Sequence, residues 1–243
     1  MTKAQFIASL FPAAQPTGLA MPSPFPDAAF EAVKDRIFSQ ITSATPEWEQ
    51  LAASHNGVRY RLRACAEHSD EFTQSVQRFG EAPPPEERYR QERQLFGFFN
   101  SGYAALDSFC FFMYFAGAHL QPSQFRTQLP GHIKRIGCKS TSGAFAGAFP
   151  GESITSALNA LLADQTFNDW YEYRNILAHR ASPGRVMHVS VGGSAPDPAA
   201  DWKIGSAANL KIDSNLTPPR LAWLVQTLTG LVMAADTFTQ QHF

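Results

Sequence analysis

The sequence predicts a mainly all-α protein, an up-and-down bundle of four or more long helices with a small β-hairpin insertion before the last helix. Apolar residues recur at helical spacing through most of the 243-residue chain. Between about residues 185 and 213 the period changes to strand-like alternation. A chain of this length can bury a large core, and its 20 phenylalanines indicate an aromatic one.

Residues 1–26 are predicted to form a proline-rich arm, because no helix can run through their five closely spaced prolines, Pro12, Pro16, Pro22, Pro24 and Pro26. Residues 27–243 are assigned to a single helical domain. Its first helix is expected to begin at Asp27, a candidate cap, and to run to about Thr42. The short apolar run at the start of the chain is cut by Gln5 and Pro12, so no signal peptide is expected and the protein is predicted to be cytoplasmic.

A second helix is expected from Pro46, with a break at Asn56-Gly57, and then onward to about Phe79. Three consecutive prolines, Pro83–Pro85, then end one helix and begin the next, which should reach Leu120. This long helix is rich in phenylalanine, and its length alone would permit a membrane span. Polar residues interrupt the apolar run and its start is heavily charged, so a buried central helix is predicted instead, with no membrane partner.

The stretch from Gly131 to Gly147 is rich in Gly, Ser and Ala, and is predicted to be a connection. Ser153–Ala163 has a helical pattern and leads into another helix that Pro183-Gly184 ends. Val186–Val191 is expected to be a strand paired with a segment near Trp202 or Leu210. Pro218-Pro219 should start the last helix.

The helix before the insertion carries Tyr173-Arg174-Asn175-Ile176-Leu177-Ala178-His179-Arg180, which combines a fixed cation, an amide and a titratable imidazole. Asn175 and His179 are four residues apart and share one helix face, whereas Arg174 lies about 140° from His179 and must reach round with its long side chain. The three polar tips can therefore converge at one edge of the helix. These residue types suit phosphoryl chemistry.

The pattern Arg174-Asn175 with His179 after three intervening residues resembles the signature of the HEPN superfamily, an Arg followed four to six residues later by His, most often with Asn directly after the Arg. Arg63 and His68 have the same spacing, but they lack the Asn and have Glu67 beside the His. The resemblance implies a helical bundle and metal-independent RNA cleavage. In that reaction the ribose 2′-hydroxyl attacks the neighbouring phosphate and leaves a 2′,3′-cyclic phosphate and a 5′-hydroxyl.

The resemblance assigns catalysis to Arg174, Asn175 and His179. His179 is the candidate general acid or base and Arg174 the candidate stabiliser of the transition state, while Asn175 would orient the imidazole or hold the phosphate. Arg180, Tyr173 and Arg185 are the candidate substrate-binding residues.

One His per chain is half of an acid and base pair, which the family commonly completes by dimerisation, so a homodimer is expected. The family often acts in stress, toxin or defence settings. The branch of toxins paired with small nucleotidyltransferases usually has Tyr where this chain has Ala181, so the chain is not assigned to it.

A net charge of -1 does not indicate a nucleic-acid binder, and no DNA partner is expected. The alternative to a ribonuclease is therefore a non-catalytic HEPN-like module that binds RNA, a nucleotide or a partner protein. A third interpretation is a helical interaction module unrelated to the superfamily. No metal or other cofactor is expected, because the other histidines have no ligand-like spacing and are interpreted as surface or capping residues: His55, His68, His119, His132 and His188. Three widely spaced cysteines fit a reducing compartment.

Overall fold

A computed structural model describes residues 21–40, 46–127, 130–179, 184–187, 200–203 and 210–243, with the backbone alone at 46–48, 130, 178 and 179. The predicted proline-rich arm lies outside the described residues up to residue 20. Within the described ranges the chain forms eight helices and one three-stranded sheet. The prediction of a mainly α-helical, bundle-like fold is confirmed.

The helices, in chain order, are α1 Asp27–Ser39, α2 Pro46–Phe79, α3 Pro85–Leu120, α4 Pro130–Ile133, α5 Cys138–Ala148, α6 Ser153–Ala163, α7 Gln165–His179 and α8 Pro218–His242. The strands are β1 Gly184–Met187, β2 Ala200–Lys203 and β3 Leu210–Ile212. The longest helix, α3, has 36 residues, and its second half is buried on nearly all sides, as predicted.

The predicted break at Asn56-Gly57 is wrong, because α2 runs without interruption through both residues. A glycine inside a helix costs about 1 kcal/mol relative to alanine. The apolar side chains on either side, Leu51 and Val58, are fully buried, and their burial more than offsets that cost. Helix α2 ends instead at Gly80, which has φ of 72° and donates its backbone N–H to the Val76 carbonyl at 2.8 Å.

The predicted connection at Gly131–Gly147 is also wrong, since α5 occupies its second half. Cys138, Thr141 and Phe145 lie on one face of α5 and are buried. Phe145 packs edge-on against Phe125, with ring centroids 5.0 Å apart. Three buried residues at helical spacing are enough to fix the helix, although Gly, Ser and Ala dominate the segment.

The predicted hairpin is a three-stranded antiparallel sheet, in the order β1-β2-β3. Val186 pairs with Asp201, and Trp202 pairs with Leu210. Trp202, Leu210 and Ile212 are buried, so one face of the sheet belongs to the core. Of the two partners predicted for the first strand, the segment near Trp202 pairs with it, and the segment at Leu210–Ile212 pairs with β2 as a third strand. Residues 188–191 of the predicted first strand lie outside the described residues.

The chain divides into two compact units. The first unit takes Met1–Tyr60, Ala104–Ala163 and Val225–Phe243, and the second takes Arg61–Tyr103 and Asp164–Leu224. In the first unit, Arg36 of α1 donates to Asp236 of α8 at 2.7 Å. The second unit holds the sheet, α7 and the sequence motif.

The core of the first unit contains a histidine, which corrects the interpretation of His55 as a surface or capping residue. The His55 ring stacks on Phe30 with centroids 4.1 Å apart, and its Nε2 lies 3.9 Å from Oε1 of Glu31. Glu31 also accepts from Arg59 at 2.7 Å. Burial lowers the pKa of His55 to about 4, although the Glu31 carboxylate opposes the shift.

The core of the second unit is organised around Trp170 of α7. A Cβ atom added at Gly102 of α3 would lie 1.7 Å from Cζ3 of Trp170, so the indole occupies the space that any other residue at position 102 would fill. The same indole contacts Phe98 and Phe99 of α3, with centroids 5.0 and 5.5 Å away, and Trp223 of α8 at 6.0 Å.

Among the described residues, α8 is the one helix long and apolar enough to span a membrane by length and composition. Buried helices of soluble proteins meet the same criterion. In the structure Leu224, Leu228 and Val232 of α8 are buried.

Replacing Gly102 by Ala should destabilise the protein, although Ala is the better helix former. The added methyl group collides with Trp170, and overpacking of this kind costs about 1–3 kcal/mol. Urea unfolding followed by circular dichroism measures the change. Gly230→Ala in α8 is the matched control, because that position is exposed and an added Cβ would meet nothing within 4 Å beyond the local backbone of its own helix. This substitution should raise stability by about 0.5–1 kcal/mol. Equal effects at the two positions would contradict the packing described for Trp170.

The free energy of unfolding should fall as the pH drops from neutral towards 5, because His55 is buried in its neutral form. Unfolded His binds a proton near its ordinary pKa of about 6.5, whereas folded His55 binds one only near 4. Between these values the unfolded state holds more protons, so stability is lost on acidification, by about 2 kcal/mol at about pH 5.

The His55→Phe variant is the control for this pH dependence, since it keeps an aromatic ring on Phe30 and removes the titrating group. As the pH falls, the free energy of unfolding should decrease more in the wild type than in the variant, so the variant gains stability relative to the wild type. Parallel pH profiles for the two proteins would show that His55 does not titrate in this way.

Candidate functional site at the solvent face of α7

Helix α7 is fixed at its start by a cap and along its length by a buried aromatic row. Oδ1 of Asp164 accepts the backbone N–H of Thr166 at 2.7 Å, and Oδ2 accepts Nε1 of Trp223 at 3.1 Å. Phe167, Trp170 and Tyr173 are buried on one side of the helix. The other side therefore faces solvent.

At the edge of the buried face, about 40° round the helix from Trp170, the guanidinium of Arg174 is held by two neighbours. Its Nη1 donates to Oδ1 of Asn175 at 2.9 Å, and its Cζ lies 5.4 Å from the ring centroid of Tyr103 in α3. A cation over an aromatic face is attracted by the ring's quadrupole. Arg174 is half-buried, so part of its side chain is open to solvent.

Tyr103 belongs to a small aromatic cluster beside Arg174. Its ring stacks on Phe167 with centroids 5.8 Å apart, and Tyr171 lies 5.6 Å away at an interplanar angle of 46°. Tyr171 is 49% exposed. Neither tyrosine was among the residues predicted for the site. The position of Tyr171 three residues before Arg174 was an available signal, because residues i and i+3 share a helix face.

His179 is the last residue of α7, and its side chain lies outside the described residues. Its position on the helix follows Tyr171 and Asn175 in a row with a spacing of four residues, about 40° apart at each step. Arg180, a predicted substrate-binding residue, also lies outside the described residues.

Tyr173, another predicted substrate-binding residue, points into the core. It is 4% exposed, and its ring packs edge-on against Phe99 with centroids 5.1 Å apart. Burial raises the pKa of Tyr173. The structure therefore gives this residue a packing role in anchoring α7.

Arg185, the third predicted substrate-binding residue, links the sheet to the start of α3. Its Nη1 donates to Oε1 of the buried Gln91 at 2.9 Å, and its Nη2 donates to the carbonyl of Glu81. The Glu81 carboxylate in turn accepts the backbone N–H of Ala200 in β2 at 3.3 Å. Both ends of the guanidinium fork are engaged within the protein, and the structure does not bring Arg185 to the Arg174 cluster.

The second pair with the motif's spacing, Arg63 and His68, has structural partners. Arg63 forms an ion pair with Glu67 at 2.6 Å. Nδ1 of His68 lies 2.6 Å from Oε1 of Gln94, and its ring covers Gly97 so closely that a Cβ there would lie 2.3 Å from Nε2. Packing therefore accounts for His68 without a catalytic role.

In the part of the chain that the structure describes, no group of three or more His, Cys, Asp or Glu side chains is placed to hold a metal ion. Cys65, Cys110 and Cys138 are buried as free thiols, and burial raises the pKa of Cys65 and of Cys110.

Comparisons with models of protein families, with curated proteins and with solved structures find no match to this chain. The HEPN resemblance therefore depends on Arg174, Asn175, His179 and the order of the helices.

Arg185→Ala should destabilise the protein by about 1–3 kcal/mol, because it leaves the buried amide oxygen of Gln91 and the Glu81 carbonyl without their donor. Thermal or urea unfolding measures the change. Arg88→Ala, at an exposed position of α3, is the control and should change stability by less than about 0.5 kcal/mol. Unchanged stability in Arg185→Ala would contradict this structural role and would favour the predicted role of Arg185 in substrate binding.

Proposed function

We propose that this protein is a HEPN-like, metal-independent endoribonuclease that acts as a homodimer on cytoplasmic RNA. The observation that supports the proposal is the placement of Arg174. Its half-buried guanidinium is held by Asn175 and Tyr103 on the helix that ends at His179. This arrangement offers N–H donors to a phosphate next to a residue type that transfers protons near neutral pH.

The proposed reaction is an intramolecular transesterification of RNA. A general base takes the proton of the ribose 2′-hydroxyl, the 2′-oxygen forms a bond to phosphorus, and the bond to the 5′-oxygen breaks. The leaving 5′-oxygen receives a proton from a general acid. The products are a 2′,3′-cyclic phosphate and a 5′-hydroxyl, and no redox step or external nucleophile is needed.

Arg174 would stabilise the transition state, since its charge is permanent and its planar fork matches two phosphate oxygens. Asn175 accepts a hydrogen bond from Arg174, so its proposed role is to orient the guanidinium before the substrate arrives.

His179 would transfer the proton on one side of the phosphate. A second chain would supply the His179 for the other side, which is why the homodimer is part of the proposal.

A non-catalytic RNA-binding module is the second candidate. The stacking of Arg174 on Tyr103 favours it, because an arginine on an aromatic ring binds bases and phosphates without proton transfer.

Arg174→Ala and His179→Ala should each abolish RNA cleavage measured in EDTA, while the melting temperature stays nearly unchanged. A general acid or base contributes about 10²- to 10⁴-fold in rate, and a transition-state donor about 10²- to 10³-fold. Single-turnover cleavage of a labelled RNA measures the rates.

Arg63→Ala and His68→Gln serve as controls with the same sequence spacing, and Gln at position 68 keeps a polar partner for Gln94. Both should retain wild-type cleavage rates. Activity that chelation removes, or equal losses in the control variants, would contradict a metal-free centre at Arg174 and His179.

A further inference from the structure

Helix α3 carries an aromatic strip on its solvent face, which we define as Tyr89, Phe96 and Tyr103, continued by Tyr171 of α7. Tyr89 is 59% exposed and Phe96 is 46% exposed, while Tyr103 contacts Tyr171 and Arg174. The solvent face of an amphipathic helix is normally polar. Large exposed aromatic side chains in a row mark a binding surface.

The three rings of α3 are spaced by seven residues. This interval is nearly two full turns, so the rings lie on one face, about 10.5 Å apart along the helix. The opposite face holds the buried Leu95, Phe98 and Gly102, which fix α3 in the second unit. The aromatic strip is therefore displayed outward by the same packing that seats Trp170.

Cations accompany the aromatic strip. Arg93 lies between Tyr89 and Phe96 on the same face, is exposed, and has no ion-pair partner among the described residues. Arg174 stands over Tyr103 at the other end of the strip. Aromatic rings that alternate with cations match the bases and phosphates of a single-stranded nucleic acid.

We propose that the aromatic strip binds the unpaired bases of single-stranded RNA on one side of the phosphate that Arg174 holds. The inference rests on the proposed function, because the strip ends at Arg174. The exposed rings of Tyr89, Phe96 and Tyr171 each offer a surface on which one base stacks, and Arg93 contacts the backbone between two bases. Tyr103, which Phe167 and Arg174 cover, connects these rings to Arg174. The substrate class is thus single-stranded rather than duplex RNA, since paired bases have no free face for these rings.

A second copy of this chain is a weaker match for the same surface. The strip is one residue wide, because the position three residues after Phe96 is Phe99, which is fully buried in its own core. A helix-to-helix seam needs two apolar positions in each heptad. A stable interface also buries about 800 Å² on each partner, which a single row of three rings does not supply.

The test measures binding apart from cleavage. Fluorescence anisotropy follows a labelled, uncleavable 2′-O-methyl oligoribonucleotide with the wild type and with Phe96→Leu, Tyr89→Leu and Tyr171→Leu. Each variant should bind roughly tenfold more weakly, since stacking of one base on one ring contributes on that order. Tyr171→Phe should bind like the wild type, because it keeps the ring.

Tyr60→Leu is the matched control, since Tyr60 is 73% exposed on α2 in the first unit and lies outside the strip. It should bind like the wild type. The same oligoribonucleotide annealed to its complement should bind the wild type much more weakly. Melting temperatures check that all variants fold.

The outcomes separate this inference from the proposed function. Ring-dependent binding without any cleavage supports the strip and contradicts the ribonuclease. Cleavage with unchanged binding in the three Leu variants overturns the strip and leaves the ribonuclease standing. The aromatic strip is also overturned if the wild type does not bind the single strand. If the Leu variants lose self-association but keep their RNA binding, the strip is a contact between copies of the chain, and the inference is overturned.

Discussion

The candidate site depends on one contact, the indole of Trp170 against the bare backbone of Gly102. Since an added methyl group would fill that space, Trp170 fixes both the distance between α3 and α7 and the rotation of α7 about its axis. With Trp170 pointing inward, Tyr171 and Asn175 lie about 100° and 140° round the helix from it and point away from the core. Arg174 lies only about 40° from Trp170, at the edge of the buried face, where its guanidinium reaches Tyr103 of α3. The contact of Arg174 with Tyr103 is therefore a consequence of core packing nearby.

Three arginines of the second unit, Arg185, Arg174 and Arg93, differ in the contacts that their guanidinium groups make. Arg185 donates to two acceptors, the Gln91 side chain in α3 and the Glu81 carbonyl before α3, and so links the sheet to α3. Arg174 has one short hydrogen bond and an aromatic ring, both of which orient the guanidinium without neutralising it. Arg93 has neither constraint. A phosphate is bound best by a cation that is oriented but still charged and accessible, which describes Arg174.

The predictions of helices were correct where apolar residues repeat strongly, as in α3. They were wrong where a local sequence signal conflicted with the burial of neighbouring side chains. Gly57 weakens a helix by itself, but burial of Leu51 and Val58 decides the outcome, and burial is not visible in a local pattern. The motif at Arg174 was found because its residues are adjacent in sequence. Its partner Tyr103 is 71 residues away by position number, so only the packing of α3 on α7 brings the two together.

The chemical identity of the RNA ends distinguishes attack by the ribose 2′-hydroxyl from hydrolysis by water. Phosphorus NMR and end-labelling of products formed by the wild type in EDTA report the bonds made and broken. We expect 2′,3′-cyclic phosphates and 5′-hydroxyls, and no cleavage at a nucleotide whose ribose lacks the 2′-hydroxyl. Products with 5′-phosphates and 3′-hydroxyls, or cleavage at a 2′-deoxy position, would contradict a reaction carried out by the 2′-hydroxyl with Arg174 and His179.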